Sequence, residues 1–151
     1  MNRLHIGFDA IPDELRSGIE LLKSDYPIVA DAATDARTVR FERVDEPKLT
    51  VSTADSVTTV RYRDKAHAFR AIGRLLGDPR PVTEAIAFSE APNVDFLGLM
   101  LDCSRNAVHT PENIRRWIRR LALMGTNALC LYTEDTYEVP GEPLFGYGRG
   151  R

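Results

Sequence analysis

Two hydrophobic rhythms alternate along the chain. Leu15, Ile19 and Leu22 recur at helical spacing. They follow Ile11-Pro12-Asp13-Glu14, where a proline costs no hydrogen bond and two acids sit in the positive first turn. Tyr26-Pro27 ends this helix, because the residue before a proline is pushed out of the helical region. Met1–Asp9 reads as a first strand, and residues 28–37, rich in alanine and aspartate, read as loop. Period-two alternation then predicts three strands, Thr38–Val44, Lys48–Ser52 and Ser56–Tyr62, separated by Asp45-Glu46-Pro47 and Thr53-Ala54-Asp55. In the last strand Thr58, Val60 and Tyr62 oppose Val57, Thr59 and Arg61, so the sheet has unlike faces. Asp64 opens a second helix with Ala68, Phe69, Ile72, Leu75 and Leu76 inward, and Gly77-Asp78-Pro79 closes it. Val82–Ser89 is a further strand, with Ile86 and Phe88 on one side. Helices on one face of a largely antiparallel sheet give the simplest assembly, an α+β domain over residues 1–90.

The pattern changes after the polar hinge Ser89-Glu90-Ala91-Pro92-Asn93. Leu97–Asp102 reads as a buried strand, Thr110–Met124 as an amphipathic helix, and Asn127–Tyr132 as a second buried strand, nearly continuous in apolar character. Thr110 suits the N-cap and Pro111 the first helical position. Ile114, Trp117, Ile118, Leu121 and Met124 would pack against a sheet, and Gly125 fits the left-handed residue that ends the helix. This is one β-α-β unit, the building block of a (β/α)8 TIM barrel, which keeps its chemistry at the carboxyl ends of its strands. Such barrels need about 250 residues, and this chain reaches Arg151 after two such strands. Residues 94–151 are therefore expected to be the first β-α-β unit and following loop of a larger enzyme's barrel. They should pack separately from residues 1–90. Left uncovered, the two strands should drive self-association into a homo-oligomer.

Composition narrows the picture without redirecting it. With 43% hydrophobic and 28% charged residues the 151-residue chain is of globular type. A formal charge of -2 argues against a general nucleic-acid binder. No apolar run approaches the roughly 20 residues of a membrane helix, and no secretory leader is apparent, so a cytoplasmic location is expected. Cys103 and Cys130 make no disulfide framework. They would lie at similar heights on neighbouring strands, where a bridge is conceivable, but reduced, mostly buried thiols are the expectation.

Candidate chemistry clusters at the two strand ends. Asp102 and Arg105 lie at and just past the first. A guanidinium there can hold two ligand hydroxyls in a fixed fork while the carboxylate orients it; a salt bridge that fixes the loop accounts for the same pair. Glu134 and Asp135 follow the second strand. Adjacent residues of extended chain point opposite ways, so these two are ill placed to share a proton. One would face the pocket while the other caps or pairs with an arginine. His5, His67 and His109 are scattered and show no metal-ligand spacing, and no cofactor motif is present. Arg115, Arg116, Arg119 and Arg120 fall opposite Trp117, Ile118 and Leu121 and read as a solvated face, with Glu112 supporting Arg115 or Arg116. One helix is too narrow a patch for nucleic acid, and Gly146–Arg151 has too few arginines for an arginine-glycine motif.

Longer runs carry a family resemblance. Leu99-Met100-Leu101-Asp102-Cys103-Ser104-Arg105-Asn106 resembles the first barrel strand of glycoside hydrolase family 20, the β-N-acetylhexosaminidases. Residues 123–138, including Asn127-Ala128-Leu129-Cys130-Leu131-Tyr132-Thr133-Glu134-Asp135, resemble its second strand and following loop. Residues 140–151 are similar to a bacterial, unexported branch of the family. Val57–Leu76, with Tyr62-Arg63-Asp64-Lys65-Ala66, resembles part of the small α+β domain that precedes the barrel.

The resemblance implies that Arg105 binds hydroxyls of a terminal N-acetylhexosamine in the −1 subsite. Asp102 would support the strand end, and Glu134 and Asp135 would shape the barrel mouth. It also implies a retaining, substrate-assisted hydrolysis of N-acetylhexosamine-terminated glycans, with no cofactor, nucleic acid or membrane involved. The family's catalytic aspartate–glutamate pair belongs to a later strand and has no match here, so residues 1–151 alone are expected to be inactive. Two other readings stay open. One is a self-contained carbohydrate-binding or protein-interaction domain without catalysis, which would need both strands in a covered core. The other is a small enzyme using Asp102, Arg105 and Glu134 in a pocket between the two regions. Exposed apolar strand edges would favour the larger enzyme.

Overall fold

The computed structural model describes residues 1–104, 108–133 and 140–142. Its elements run β1 (Arg3–His5), α1 (Asp13–Lys23), β2 (Ile28–Val29), β3 (Ala36–Arg43), β4 (Leu49–Ala54), β5 (Val57–Tyr62), α2 (Lys65–Gly77), β6 (Ala87–Glu90), β7 (Gly98–Asp102), α3 (Pro111–Leu123) and β8 (Ala128–Tyr132). Six strands form one sheet in the order β2-β1-β3-β5-β4-β6, while β7 and β8 pair only with each other.

The large sheet corrects the antiparallel expectation. β1 runs parallel to β2 and to β3, and β3 runs parallel to β5; only β4 is antiparallel, to β5 and to β6. Alternation dictates which face a side chain takes, but not which strand lies alongside. β4 and β5 close a two-residue hairpin, with Ala54 opposite Val57. Asp55 and Ser56 between them both have positive φ, 48° and 63°, as the tight turn matched to strand twist requires. That hairpin leaves the far edge of β5 free, and β3 adds there in parallel. The segment read as loop, residues 28–37, contains β2 and the start of β3. A two-residue strand carries no periodicity, and only the burial of Ile28 betrays it. The first strand is shorter than expected, and Phe8–Ala10 form a 3-10 turn.

Both helices lie on one face of this sheet, as expected. Leu15, Ile19 and Leu22 of α1 join Ala68, Ala71, Ile72, Leu75 and Leu76 of α2 in a single core with Leu4, Val39, Leu49, Val51 and Val60. At Gly18 an added Cβ would run into the Phe69 ring, so the helices approach closely. Tyr62 is buried in the same layer and its hydroxyl donates to Glu14 Oε1 at 2.8 Å. One charged residue lies where alternation predicts an apolar one. Arg37 is 2% exposed, donating to the Pro81 carbonyl at 2.9 Å and to Thr58 Oγ1 at 3.4 Å. The sheet's opposite face is polar, with Arg61 on Glu42 at 2.8 Å and Arg40 on Thr59 at 2.9 Å.

The second region starts from the hinge. α3 is capped as its sequence dictates: Thr110 Oγ1 accepts from the Asn113 amide, Pro111 takes the first position, and Gly125 follows with φ 83°. Its packing departs from expectation. Leu121 is buried, but Trp117, Ile118 and Met124 are exposed, and Leu123 turns instead onto α2 and joins the large core. Two strands about 4.8 Å apart are narrower than the helix's apolar stripe, which therefore overhangs them. Nor are the four arginines uniformly solvated. Arg119 is drawn to Asp25 at the end of α1, at 2.5 Å, while Arg115 pairs with Glu112 at 3.2 Å.

Candidate functional site

The carboxyl ends of β7 and β8 lie side by side, and the register decides what meets there. Leu99 pairs with Leu129, Met100 with Cys130, Leu101 with Leu131 and Asp102 with Tyr132. Alternation places the four leucines on one face and Met100, Asp102, Cys130 and Tyr132 on the other. α3 lies over the leucine face, where Leu101 is buried and Leu129 lines a cavity of about 210 Å³ with Ile118 and Leu121. The other face is open: Met100 is 64% and Tyr132 43% exposed. On it, Phe96, Met100 and Cys130 border a shallow apolar hollow of about 220 Å³. The expectation of two buried strands is thus not met: of the four leucines Leu101 alone is buried, Leu99 and Leu129 are half-buried and Leu131 is exposed.

Asp102 is held by its own loop. Its Oδ1 accepts the Ser104 amide at 2.8 Å and the Ser104 hydroxyl at 2.6 Å, an Asx-type turn that sets the chain's direction as it leaves β7. The Cys103 amide donates to the Tyr132 carbonyl at 2.7 Å, so strand pairing extends one residue beyond Asp102. Both bonds fix the turn immediately after β7. The other three sequence candidates, Arg105, Glu134 and Asp135, lie outside the described residues. Tyr132 was not among the candidates, although it shares the open face with Asp102; the parity of the two strands carried that signal, once their register was known.

The same register separates the cysteines. Cys130 faces Met100, whereas Cys103 follows Asp102, about three residues or roughly 10 Å further along, beyond disulfide reach. Both thiols are free. Cys103 is half-buried and Cys130 is exposed, against the expectation of mostly buried thiols. Among the described residues no group of three or more His, Cys, Asp or Glu is placed to hold a metal ion, and no helix is long and apolar enough to cross a membrane. A roomier groove, about 710 Å³, lies at the opposite ends of β7 and β8, between the start of α2 and residues 92–97. The residues singled out from the sequence lie at the carboxyl ends of the two strands, and this groove contains none of them.

No protein-family model matches the chain, and no curated protein matches it. Solved structures do. The family-20 exo-β-N-acetylglucosaminidase of Vibrio harveyi, determined with N-acetylglucosamine, aligns over 89% of this chain at 18% identity, with a TM-score of 0.60. The β-hexosaminidase of Streptomyces plicatus, determined with N-acetylglucosamine as product, aligns over 89% at 20% identity and a TM-score of 0.59. A Flavobacterium johnsoniae chitobiase aligns over 97% at 16% identity and a TM-score of 0.56. The chain spans 23%, 31% and 27% of the lengths of these proteins. At such identities the likeness is one of fold, and its coverage takes in both the six-stranded sheet and the parallel pair.

Proposed function

We propose that this chain is the front part of a retaining, substrate-assisted β-N-acetylhexosaminidase of glycoside hydrolase family 20, which releases terminal N-acetylhexosamine from glycans. Residues 1–90 are its small α+β domain, and residues 94–151 are the first β-α-β unit and following loop of its catalytic TIM barrel. The observation that carries this reading is the fold likeness to hexosaminidases, which runs through both regions in one alignment. The open face of β7 and β8 supports it. A self-contained binding domain would cover Met100 and Tyr132, and among the described residues they stay exposed.

In this reading the sugar's own acetamido oxygen attacks the anomeric carbon, assisted by an aspartate and a general acid–base glutamate from a later strand. The residues of this chain contribute binding. Arg105 grips sugar hydroxyls, Asp102 holds the end of β7 through Ser104, and Glu134 and Asp135 shape the barrel mouth. The test uses the whole open reading frame that contains these residues. Its product should hydrolyse an aryl N-acetyl-β-glucosaminide but not the aryl β-glucoside that lacks the acetamido group, and residues 1–151 should hydrolyse neither. Arg105→Ala in the longer protein should lower kcat/KM at least a hundredfold, since two charge-assisted hydrogen bonds are worth about 1.5–3 kcal/mol each. Turnover by residues 1–151, or an unimpaired Arg105→Ala enzyme, would overturn the proposal.

A further inference from the structure

The second region owes little of its structure to itself. Among the described residues from 94 onward, the buried apolar side chains are Leu101, Leu121 and Leu123. Leu123 belongs to the core under the six-stranded sheet. What holds this region in place is α2, through two glycines. At Gly73 an added Cβ would overlap the Leu123 carbonyl oxygen, so the α3 backbone lies directly against that position. At Gly125 a side chain would sit 3.3–3.5 Å from the aliphatic stem of Arg70. Arg70 is fixed in turn, donating to Glu90 Oε2 at 3.0 Å at the end of β6, and Arg74 shares that carboxylate while lying over the Phe88 ring. Arg119 on Asp25 adds a third tether, at 2.5 Å.

Gly73 is the telling residue. It stands in the interior of a 13-residue helix, where glycine is the poorest helix former after proline. Its local conformational preference argues against it; only the close approach of α3 calls for it. We infer that α2 is a folding template. The six-stranded sheet with α1 and α2 folds unaided, and β7, α3 and β8 keep their structure by docking on α2 through Gly73. The dependence runs one way, because the first region has its own core and the second has not. This inference stands independently of the chemistry proposed for the completed protein.

The test is hydrogen exchange on the 151-residue chain. Gly73→Ala raises the helix propensity of α2 while it blocks the docking surface, so the two regions should respond in opposite senses. Amides of residues 98–103 and 114–132 should lose protection at least tenfold, while those of β3, β4, β5 and α2 keep theirs or gain. Leu121→Asp, which spoils the second region from within, should give the same loss in 98–132 and none in β3–β5. Retained protection of 98–132 in either variant would overturn the inference. Loss of protection in β3–β5 alongside it would do so too, since that would make the dependence mutual.

Discussion

Leu75 in α2 and Leu131 in β8 are the same side chain in equally regular elements, yet the first is fully buried and the second 44% exposed. The two sheets differ in their uncovered faces as well. Each has one face covered by helices. The uncovered face of the six-stranded sheet carries Arg61 on Glu42 and Thr59 under Arg40, groups that water or each other can satisfy. The uncovered face of the two-stranded sheet carries Met100, Cys130 and Tyr132, with Asp102 at its carboxyl end tied to Ser104. A polar open face belongs to a finished layer. An apolar one is what a further layer or a partner would bury. Secondary structure and burial are thus separate achievements: among the described residues, the first ninety combine both, and those from 94 onward bury few of their apolar side chains.

The comparison is broken most sharply by identical truncations. Leu75→Ala should destabilise the chain by about 2–5 kcal/mol, the range for emptying a close-packed site. Leu131→Ala should cost less than about 0.5 kcal/mol, as surface changes do. Urea unfolding at low protein concentration measures both. Equal costs would mean that Leu131, at the end of the leucine face, is covered in solution, and a rise with protein concentration would identify a second copy as the cover.

A smaller effect sharpens the contrast through pH. The Arg80 guanidinium, bonded to Asp78 at 2.7 and 2.9 Å, holds that carboxyl down at about 2 from an ordinary 3.8. A carboxyl depressed in the folded state contributes stability that is present above pH ~4 and lost as pH falls through about 2. Asp78→Asn should therefore cost about 1–2 kcal/mol at neutral pH, and its unfolding curve should merge with that of the parent chain near pH 2. The cost should fall on the sheet region, since Asp78 closes α2 and its backbone carbonyl accepts from Asn2 beside β1.

Much of this was legible in the sequence, for identifiable reasons. The helices were read correctly because their signals are local: Pro12 and two acids at one start, Thr110-Pro111 at another, Gly125 at an end. The faces of β5 were read correctly because alternation is local too. Strand order was not, because inserting β5 between β3 and β4 depends on partners far apart in the chain. Arg37 in the core was missed because its acceptor, the Pro81 carbonyl, lies 44 residues away. The packing of Leu123 on α2 was missed for the same reason, since the stripe of α3 points to a sheet and says nothing of a second helix. At the candidate site, Asp102 could be placed at a strand end from sequence; its partner across the strand, Tyr132, needed the register.

The claim that the β7–β8 face is part of a larger core is tested most directly by the reactivity of Cys130. With Cys103 replaced by serine, a thiol reagent should modify Cys130 in residues 1–151 at low concentration nearly as fast as a peptide thiol. In the full-length product of the open reading frame, later strands should close over that face and slow the same reaction at least a hundredfold. Equal rates in the two proteins would contradict the account, for they would show an apolar face that nothing ever covers.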